Sequence, residues 1–235
     1  MCGIAGQISP QGLPQREPGF YDHILSTMTR RGPDQEGSYF DGACALLHRR
    51  LSVIDPGHGR QPMTLGGKTI VYNGELYNAP ELRQELTDLG ETFDTASDTE
   101  VLLRAYLRWG DRCPKKLNGI FAFAVYDPDR RRLFLARDPI GVKPLFYAQR
   151  GGSLFFASEL KSLLCFSEIL PVVDARGLYD LLFLGPGRTP GYGVFRGVYE
   201  LEPGTCGYFD ETGLHISRYW QLHEAHCTDT FEEAA

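Results

Sequence analysis

Cys2 is the residue of this sequence whose chemistry is most informative. If Met1 is removed, Cys2 carries a thiol and a free α-amine on one residue. An α-amine titrates at about 7.7–8.0, so at neutral pH a fraction of it is unprotonated and can accept the thiol proton directly or through a water molecule. Because the thiolate is the reactive form of cysteine, the pattern predicts an N-terminal nucleophile. A purely structural interpretation, in which Cys2 only begins a buried strand, stays open on this residue alone.

Asn73 and Gly74 could supply the hydrogen-bond donors that such a nucleophile needs for a tetrahedral oxyanion. One donor would be an amide side chain and the other a backbone N–H, and glycine permits both an unusual φ and a close backbone approach. The same dipeptide is also typical of a two-residue hairpin turn. The residues that follow resemble a helix start rather than a returning strand, and both interpretations stay open at this point.

Three charged side chains could hold an α-amino acid. Arg50 could bind a carboxylate through two parallel hydrogen bonds, and Glu75 and Asp98 could accept from an ammonium group. Arg50 could also be a surface arginine, and Asp98 could be a carboxylate that is favourable at a helix N-terminus without any ligand. Together with the amide–glycine pair, however, the three charges describe a pocket for an α-amino acid.

Composition limits the classes of function. The 235 residues could form one large domain or two small ones, and 42% hydrophobic residues suffice for a sizeable core. A net charge of −6 argues against a nucleic-acid or anionic-membrane partner. No apolar stretch approaches the roughly 18–20 residues of a membrane span, and no secretory segment follows Met1, which predicts a cytoplasmic protein. The six cysteines and six histidines lack metal-site or disulfide-framework spacing, so neither is expected.

The elements that must position these residues are short strands and a few helices. The sequence predicts strands at 4–8, 69–72, 120–126, 132–137, 145–148, 154–157, 194–199, 206–209 and 214–219. It predicts helices over 20–28 and 175–184 and two more that begin with capping boxes, at Asn78 with Glu81 and at Ser97 with Glu100. These patterns favour an α+β fold of two packed, mainly antiparallel sheets covered by helices. Residues 221–235 are polar and acidic and resemble the start of a linker.

Several short motifs occur together in one order. They are Met-Cys-Gly-Ile at 1–4, Arg-Arg-Gly-Pro-Asp at 30–34, Arg-Leu-Ser-Val-Ile-Asp at 50–55, Gln-Pro at 61–62, Asn-Gly-Glu-Leu-Tyr-Asn at 73–78, Ser-Asp-Thr-Glu at 97–100 and Arg-Asp-Pro-Ile-Gly-Val-Lys-Pro-Leu at 137–145. With them the sequence resembles the glutaminase domain of class II, N-terminal-nucleophile glutamine amidotransferases. The resemblance is strongest to the glutamine-hydrolysing asparagine synthetase family and extends over about residues 2–220.

The resemblance implies a role for each matching residue. Cys2 is the nucleophile and its α-amine the base, while Asn73 and the Gly74 N–H form the oxyanion hole. The remaining positions bind substrate: Arg50 the glutamine α-carboxylate, Glu75 and Asp98 its α-amine, and Leu51, Ser52, Val53 and Ile54 the wall of the pocket. The implied fold is a four-layer αββα sandwich of the Ntn-hydrolase type over residues 1–220, acting on L-glutamine without a cofactor or metal.

The family also implies a partner that this sequence lacks. Its members continue into a C-terminal synthetase domain that receives the ammonia and uses ATP and Mg²⁺ to activate aspartate, and no pyrophosphate-binding loop of that kind occurs here. Three functional alternatives stay open: a non-catalytic glutamine-sensing or regulatory module, an amidohydrolase for another amide, and a domain that serves a different carboxylate acceptor. The oligomeric state also stays open, with a homodimer among the options.

Overall fold

Two six-stranded antiparallel sheets form the centre of the molecule. A computed structural model describes residues 1–55, 57–185 and 187–224. In chain order the elements are β1 (Gly3–Ile8), α1 (Phe20–Thr27), β2 (Gln35–Phe40), β3 (Cys44–Arg50), β4 (Met63–Leu65), β5 (Lys68–Leu76), α2 (Ala79–Asp88), α3 (Asp98–Trp109), a 3₁₀ helix (Gly110–Lys116), β6 (Gly119–Asp127), β7 (Arg132–Arg137), β8 (Phe146–Arg150), β9 (Ser153–Ala157), α4 (Leu160–Leu163), α5 (Ala175–Tyr179), a π-helical turn (Asp180–Leu184), β10 (Val198–Glu200), β11 (Thr205–Asp210) and β12 (Gly213–Arg218).

The strand order places the N-terminal strand in the middle of its sheet. Sheet A has the order β10-β8-β9-β1-β3-β2, and sheet B has the order β12-β11-β7-β6-β5-β4. Every pairing between neighbours is antiparallel. Strand β1 pairs with β3 on one side and β9 on the other, so Cys2 lies at the entrance to a fully paired strand.

Helices cover the outer face of each sheet, which gives four layers. Between the sheets, Ile4 and Phe156 of sheet A belong to one buried cluster with Val71 and Leu135 of sheet B. Helices α2 and α3 pack on the outer face of sheet B through a second cluster, and α1 and α4 pack on sheet A through a third. Strands enclosed on both faces are apolar at nearly every position, as β1 and β6 are. The predicted αββα sandwich of two antiparallel sheets is confirmed.

Several predicted boundaries are wrong, each because a distant partner extends or replaces a local pattern. The strand predicted over 69–72 continues to Leu76, since β6 pairs with it as far as Gly119. The strand predicted over 194–199 is reduced to Val198–Glu200, because Val194 has a φ of 70° that no strand accommodates. The helix predicted over 175–184 divides into α5 and the π-helical turn. Strands β2, β3 and β4, the 3₁₀ helix and helix α4 were not predicted.

The two predicted capping boxes have different outcomes. Ser97 is the N-cap of α3, and its side chain accepts from the Glu100 N–H as expected. The Glu100 carboxylate instead accepts from the N–H groups of Asp94 and Thr95, so the reciprocal half of the box is missing. Asn78 precedes α2 but makes no capping bond, because its amide binds the backbone at Lys116 and Asn118. Local capping is displaced there by a tertiary contact.

Over residues 1–55, 57–185 and 187–224, no helix combines the length and apolar character that crossing a membrane requires. The division into a domain over 1–220 and a linker over 221–235 stays a prediction. Most of that predicted linker, residues 225–235, lies outside the described residues.

Candidate active site

Asn73 and Gly74 lie inside strand β5 rather than in a turn. They pair with Ala122 and Phe121 of β6, which excludes the hairpin interpretation. Gly74 has no positive φ, so the conformational freedom of glycine is not used there. The close approach is real, however, because a Cβ at Gly74 would lie 2.3 Å from the Ile120 carbonyl oxygen. A glycine is therefore needed at this position for steric reasons.

The Gly74 N–H faces the open edge of β5. Residues of an antiparallel strand alternate between those whose backbone groups face the paired strand and those whose groups face away. The Tyr72 N–H donates to Gln61 Oε1 at 2.6 Å, and the Leu76 N–H donates to Asp98 Oδ2 at 3.3 Å, so both face away from β6. Gly74 lies two residues from each and presents its N–H on the same side, between these two occupied donors.

The Asn73 side chain is buried without a hydrogen bond. Only 1% of the residue is exposed, and neither Oδ1 nor Nδ2 has a partner among the described residues. Leaving a buried amide unpaired costs about 1–3 kcal/mol, and most native polar groups avoid it. An unpaired group of this kind in a cleft is a candidate for contact with a substrate.

Cys2 is half-buried and its thiol lies 3.8 Å from the Leu51 carbonyl oxygen. Burial raises the pKa of this thiol, while the Leu51 backbone and the positive charge of the chain's amino terminus lower it in part. The Arg31 guanidinium donates to the Cys2 carbonyl oxygen at 2.8 Å and so fixes the main chain in front of β1. A thiol with a raised pKa is mostly protonated at neutral pH and requires a base to become a nucleophile.

Arg50, at the end of β3, is buried and organises the loop that follows it. Its Nη2 donates to the carbonyl oxygens of Ile54 at 2.7 Å and Asp55 at 2.8 Å, and its Nη1 donates to Gln35 Oε1 at 2.9 Å. The Asp55 carboxylate in turn accepts from the Ala96 N–H just before α3. One guanidinium thus holds the backbone that forms one wall of the cleft.

The two predicted carboxylates differ in their surroundings. Asp98 is the first residue of α3 and only 7% exposed, and its Oδ2 accepts from the Tyr72 hydroxyl at 3.0 Å. Burial raises the pKa of the Asp98 carboxyl, and the hydrogen bonds from Tyr72 and Leu76 lower it in part. Glu75 lies on β5, two residues beyond Asn73, and is exposed. A cation bound between them would contact Asp98, which is held by hydrogen bonds, and Glu75, whose exposed side chain can adjust its position.

A cleft of about 200 Å³ brings these residues together. Nine of the ten predicted site residues line it: Cys2, Arg50, Leu51, Val53, Ile54, Asn73, Gly74, Glu75 and Asp98. Ser52 is the exception, because its N–H donates to Asp34 Oδ2 at 2.7 Å and the residue is not part of the lining. The lining therefore combines a thiol, the unpaired side-chain amide of Asn73 and charges of both signs.

Five further lining residues were not predicted as site residues: Met1, Gln61, Tyr72, Thr99 and Lys143. Gln61, Thr99 and Lys143 belong to the quoted motifs at 61–62, 97–100 and 137–145, so the motifs contained the signal although no role could be read from it. Tyr72 had the weakest signal, because an aromatic residue in a strand is normally assigned to the core.

The comparisons with known proteins identify the family of this chain. The sequence model of the glutamine amidotransferase domain matches residues 1–220. Asparagine synthetase (glutamine-hydrolysing) 3 of Bacillus subtilis is 44% identical over 99% of this chain, and a putative asparagine synthetase (glutamine-hydrolysing) of Mycobacterium bovis is 37% identical over 94% of it. The chain spans only 39% and 37% of these two relatives.

The solved structures support the fold. The glutamine phosphoribosylpyrophosphate amidotransferase of B. subtilis superposes with a TM-score of 0.65 at 22% identity, over 94% of this chain and 50% of that protein. Since the family match extends over nearly the whole chain, the resemblance inferred from the motifs is confirmed. The chain belongs to the glutamine amidotransferase domain family.

Proposed function

We propose that this chain hydrolyses the side-chain amide of L-glutamine to glutamate and ammonia, with Cys2 as the nucleophile. The observation that supports this most directly is the pair formed by the buried, unpaired Asn73 amide and the edge-facing Gly74 N–H, in the cleft that Cys2 lines. A side-chain amide and a backbone N–H that line one cleft are the kind of donors that stabilise a developing oxyanion.

The cleft also fits the rest of the substrate. Arg50 would bind the α-carboxylate of glutamine, and Asp98 and Glu75 would bind its α-ammonium group. A neutral amide side chain then extends from the charged end towards Cys2. The cleft thus offers an opposite charge to each charged group of a zwitterion, which favours an amino acid over a simple amide as the substrate.

The chemistry follows from Cys2 once Met1 has been removed. Its α-amine accepts the thiol proton, and the thiolate attacks the side-chain amide carbon of glutamine while Asn73 and Gly74 stabilise the oxyanion. The intermediate collapses, the C–N bond breaks, and the α-ammonium returns its proton to the leaving nitrogen, which departs as ammonia. Water, deprotonated by the same amine, then cleaves the γ-glutamyl thioester to glutamate and restores the thiol.

In the longer protein the ammonia would pass to a synthetase part. The named relatives are more than twice as long as this chain, and asparagine formation from aspartate is the reaction that their names suggest. ATP and Mg²⁺ would be needed in that part and not in the glutaminase cleft. A cytoplasmic location fits the use of a reduced thiol.

The test combines mass spectrometry with a glutaminase assay. Loss of Met1, followed by a single adduct of 6-diazo-5-oxo-L-norleucine on Cys2, is the expected result. Cys2→Ala should lower kcat by at least about 10³-fold and abolish the adduct. Cys165→Ala is the matched control, since that thiol is also partly accessible but lies outside the cleft, and it should change neither.

Other outcomes would identify the alternatives. Glutamine binding without turnover in the processed protein would indicate a sensing module. Faster hydrolysis of another amide would indicate a different amidohydrolase. Full activity in a protein that retains Met1 would refute the role assigned to the α-amine.

A further inference from the structure

Gln61 has a buried side-chain amide that joins two elements of the candidate active site. The residue is 8% exposed and lies in the segment that leads into β4. Its Oε1 accepts from the Tyr72 N–H of β5 at 2.6 Å, and its Nε2 donates to Thr99 Oγ1 of α3 at 3.1 Å. One carboxamide thus links the strand of the oxyanion donors to the helix that begins with Asp98.

The contact with Tyr72 replaces a missing strand partner. Strand β4 pairs with β5 only from Lys68 to Ile70, so the outer edge of β5 has no neighbouring strand at Tyr72. Gln61 Oε1 accepts the N–H there as a strand carbonyl would. The Tyr72 carbonyl oxygen, on the same edge, accepts from His48 Nε2 at 3.1 Å. Burial lowers the pKa of His48 to about 3, so this imidazole is neutral and donates through Nε2.

Tyr72 is therefore fixed at three points, and it immediately precedes Asn73. Its N–H is held by Gln61, its carbonyl oxygen by His48 and its hydroxyl by Asp98. The backbone of a strand transmits a shift at one residue to the next two, because their peptide planes share the same pleat. The direction of the Gly74 N–H and the position of the Asn73 amide consequently depend on how firmly Tyr72 is held.

We infer that Gln61 is a positioning residue of the glutaminase reaction, which aligns the oxyanion donors on β5 with the substrate-binding end of α3. This inference rests on the proposed function. Gln61 acts through Tyr72 and Thr99 and is not required to touch the reacting atoms. Since misplacement of a catalytic group by about 1 Å can cost roughly 10²-fold in rate, loss of this link affects the transition state more than substrate binding.

The first test replaces Gln61 by a side chain of similar size without hydrogen-bonding groups. Gln61→Met should lower kcat for glutamine by about 10–100-fold and change KM by less than about threefold. Gln61→Glu retains an acceptor for the Tyr72 N–H, and the Thr99 hydroxyl can reverse its role, so its kcat should lie clearly above that of Gln61→Met. Gln84→Met is the matched control on the exposed face of α2 and should behave as the wild type.

The second test removes only the contact with α3. Thr99→Val deletes the acceptor of Gln61 Nε2, whereas Thr99→Ser retains a hydroxyl, so Thr99→Ser should be at least about threefold faster than Thr99→Val. Combining Gln61→Met with Thr99→Val should lower kcat less than the product of the single effects, because both changes break one link. The comparison of Thr99→Val with Thr99→Ser tests the role of Gln61 even if Gln61→Met does not fold.

The results separate this inference from the proposed function. A wild-type chain that releases no ammonia from glutamine overturns the proposed function itself. Glutaminase activity in the wild type with an unchanged kcat in Gln61→Met overturns only the role of Gln61. Equal rates for Gln61→Glu and Gln61→Met, or for Thr99→Val and Thr99→Ser, do the same.

Discussion

The loops that follow β3 and β7 are both held by an arginine, but the two arginines differ in their other contacts. Each follows a strand that ends in an arginine, and each arginine folds back to bind carbonyl groups of its own loop. Arg50 holds Ile54 and Asp55 after β3. Arg137 holds Gly141 and Lys143 after β7.

The difference lies in what else each arginine does. Arg50 lines the cleft and shapes the loop that follows it. Arg137 is absent from the lining, pairs with Glu200 at 3.0 Å and donates to the Leu201 carbonyl oxygen at 2.6 Å. Only Lys143 of the second loop reaches the cleft. In the first loop the supporting arginine itself lines the cleft, whereas in the second loop the supporting arginine and the cleft-lining residue are different.

The largest expected effect is on the second loop, whose arginine does not line the cleft. Asp138 is fully buried, and its carboxylate accepts from the N–H groups of Phe121, Ile140, Val142 and Lys143. Asp138→Ala should lower the free energy of unfolding by about 3–5 kcal/mol, because four buried or half-buried donors lose their acceptor. Urea unfolding measures this.

Asp34 offers the matched control in the other loop. Its carboxylate accepts from the Ser52 N–H in an exposed position, so Asp34→Ala should cost only about 0.5–1.5 kcal/mol. Equal losses for the two variants would mean that the loops are supported alike, contrary to the comparison.

The next effect separates binding from support. Arg50→Lys retains the charge but loses the planar fork, and should raise KM for glutamine by about 10–100-fold. Arg137→Lys should leave KM within about threefold and lower the free energy of unfolding by about 2–4 kcal/mol. Steady-state kinetics and urea unfolding on both variants give the result, and a similar rise of KM in both would remove the distinction.

The smallest effect concerns Asp98, which resembles Arg50 in facing the cleft while it holds Tyr72. Folding raises the pKa of this carboxyl, so its protonated form is favoured in the folded state. The stability contribution of Asp98 is therefore complete below its unfolded pKa, near 3.9, and is lost as pH rises through the raised value. At pH 7 Asp98→Asn should be more stable than the wild type by about 1 kcal/mol and should bind glutamine more weakly.

Urea unfolding at pH 4 and pH 7 checks the sign of this prediction. The advantage of the Asn variant should grow with pH, whereas a variant that is less stable at pH 7 would show that the charge at Asp98 supports the fold. Glu75→Gln serves as the control, because an exposed carboxylate should affect KM alone.

The sequence predicted which residues share the cleft better than it predicted the boundaries of helices and strands. Cys2, Arg50, Asn73, Gly74 and Asp98 could be grouped because their residue types fit one substrate, and the structure brings them to one cleft. Their roles stay predictions. The length of β5 could not be read locally, since its end is set by pairing with β6, fifty residues further on.

Tertiary hydrogen bonds explain the remaining differences. Asn78 has the composition of an N-cap, yet its amide is taken by Lys116 and Asn118. Gln61 stands in a recognisable Gln-Pro pair, but its function depends on Tyr72 and Thr99, whose proximity only the fold creates. Propensity indicates what a residue can do, and the partners available decide what it does.

The central position of β1 also determines when the cleft can form during synthesis. Strand β1 contains residues 3–8, but its partner β9 ends at residue 157. At about 5–20 residues per second, a ribosome needs roughly 8–30 s to supply that partner. Throughout this interval one edge of β1 is unpaired, so removal of Met1 can take place before the sheet closes beside Cys2.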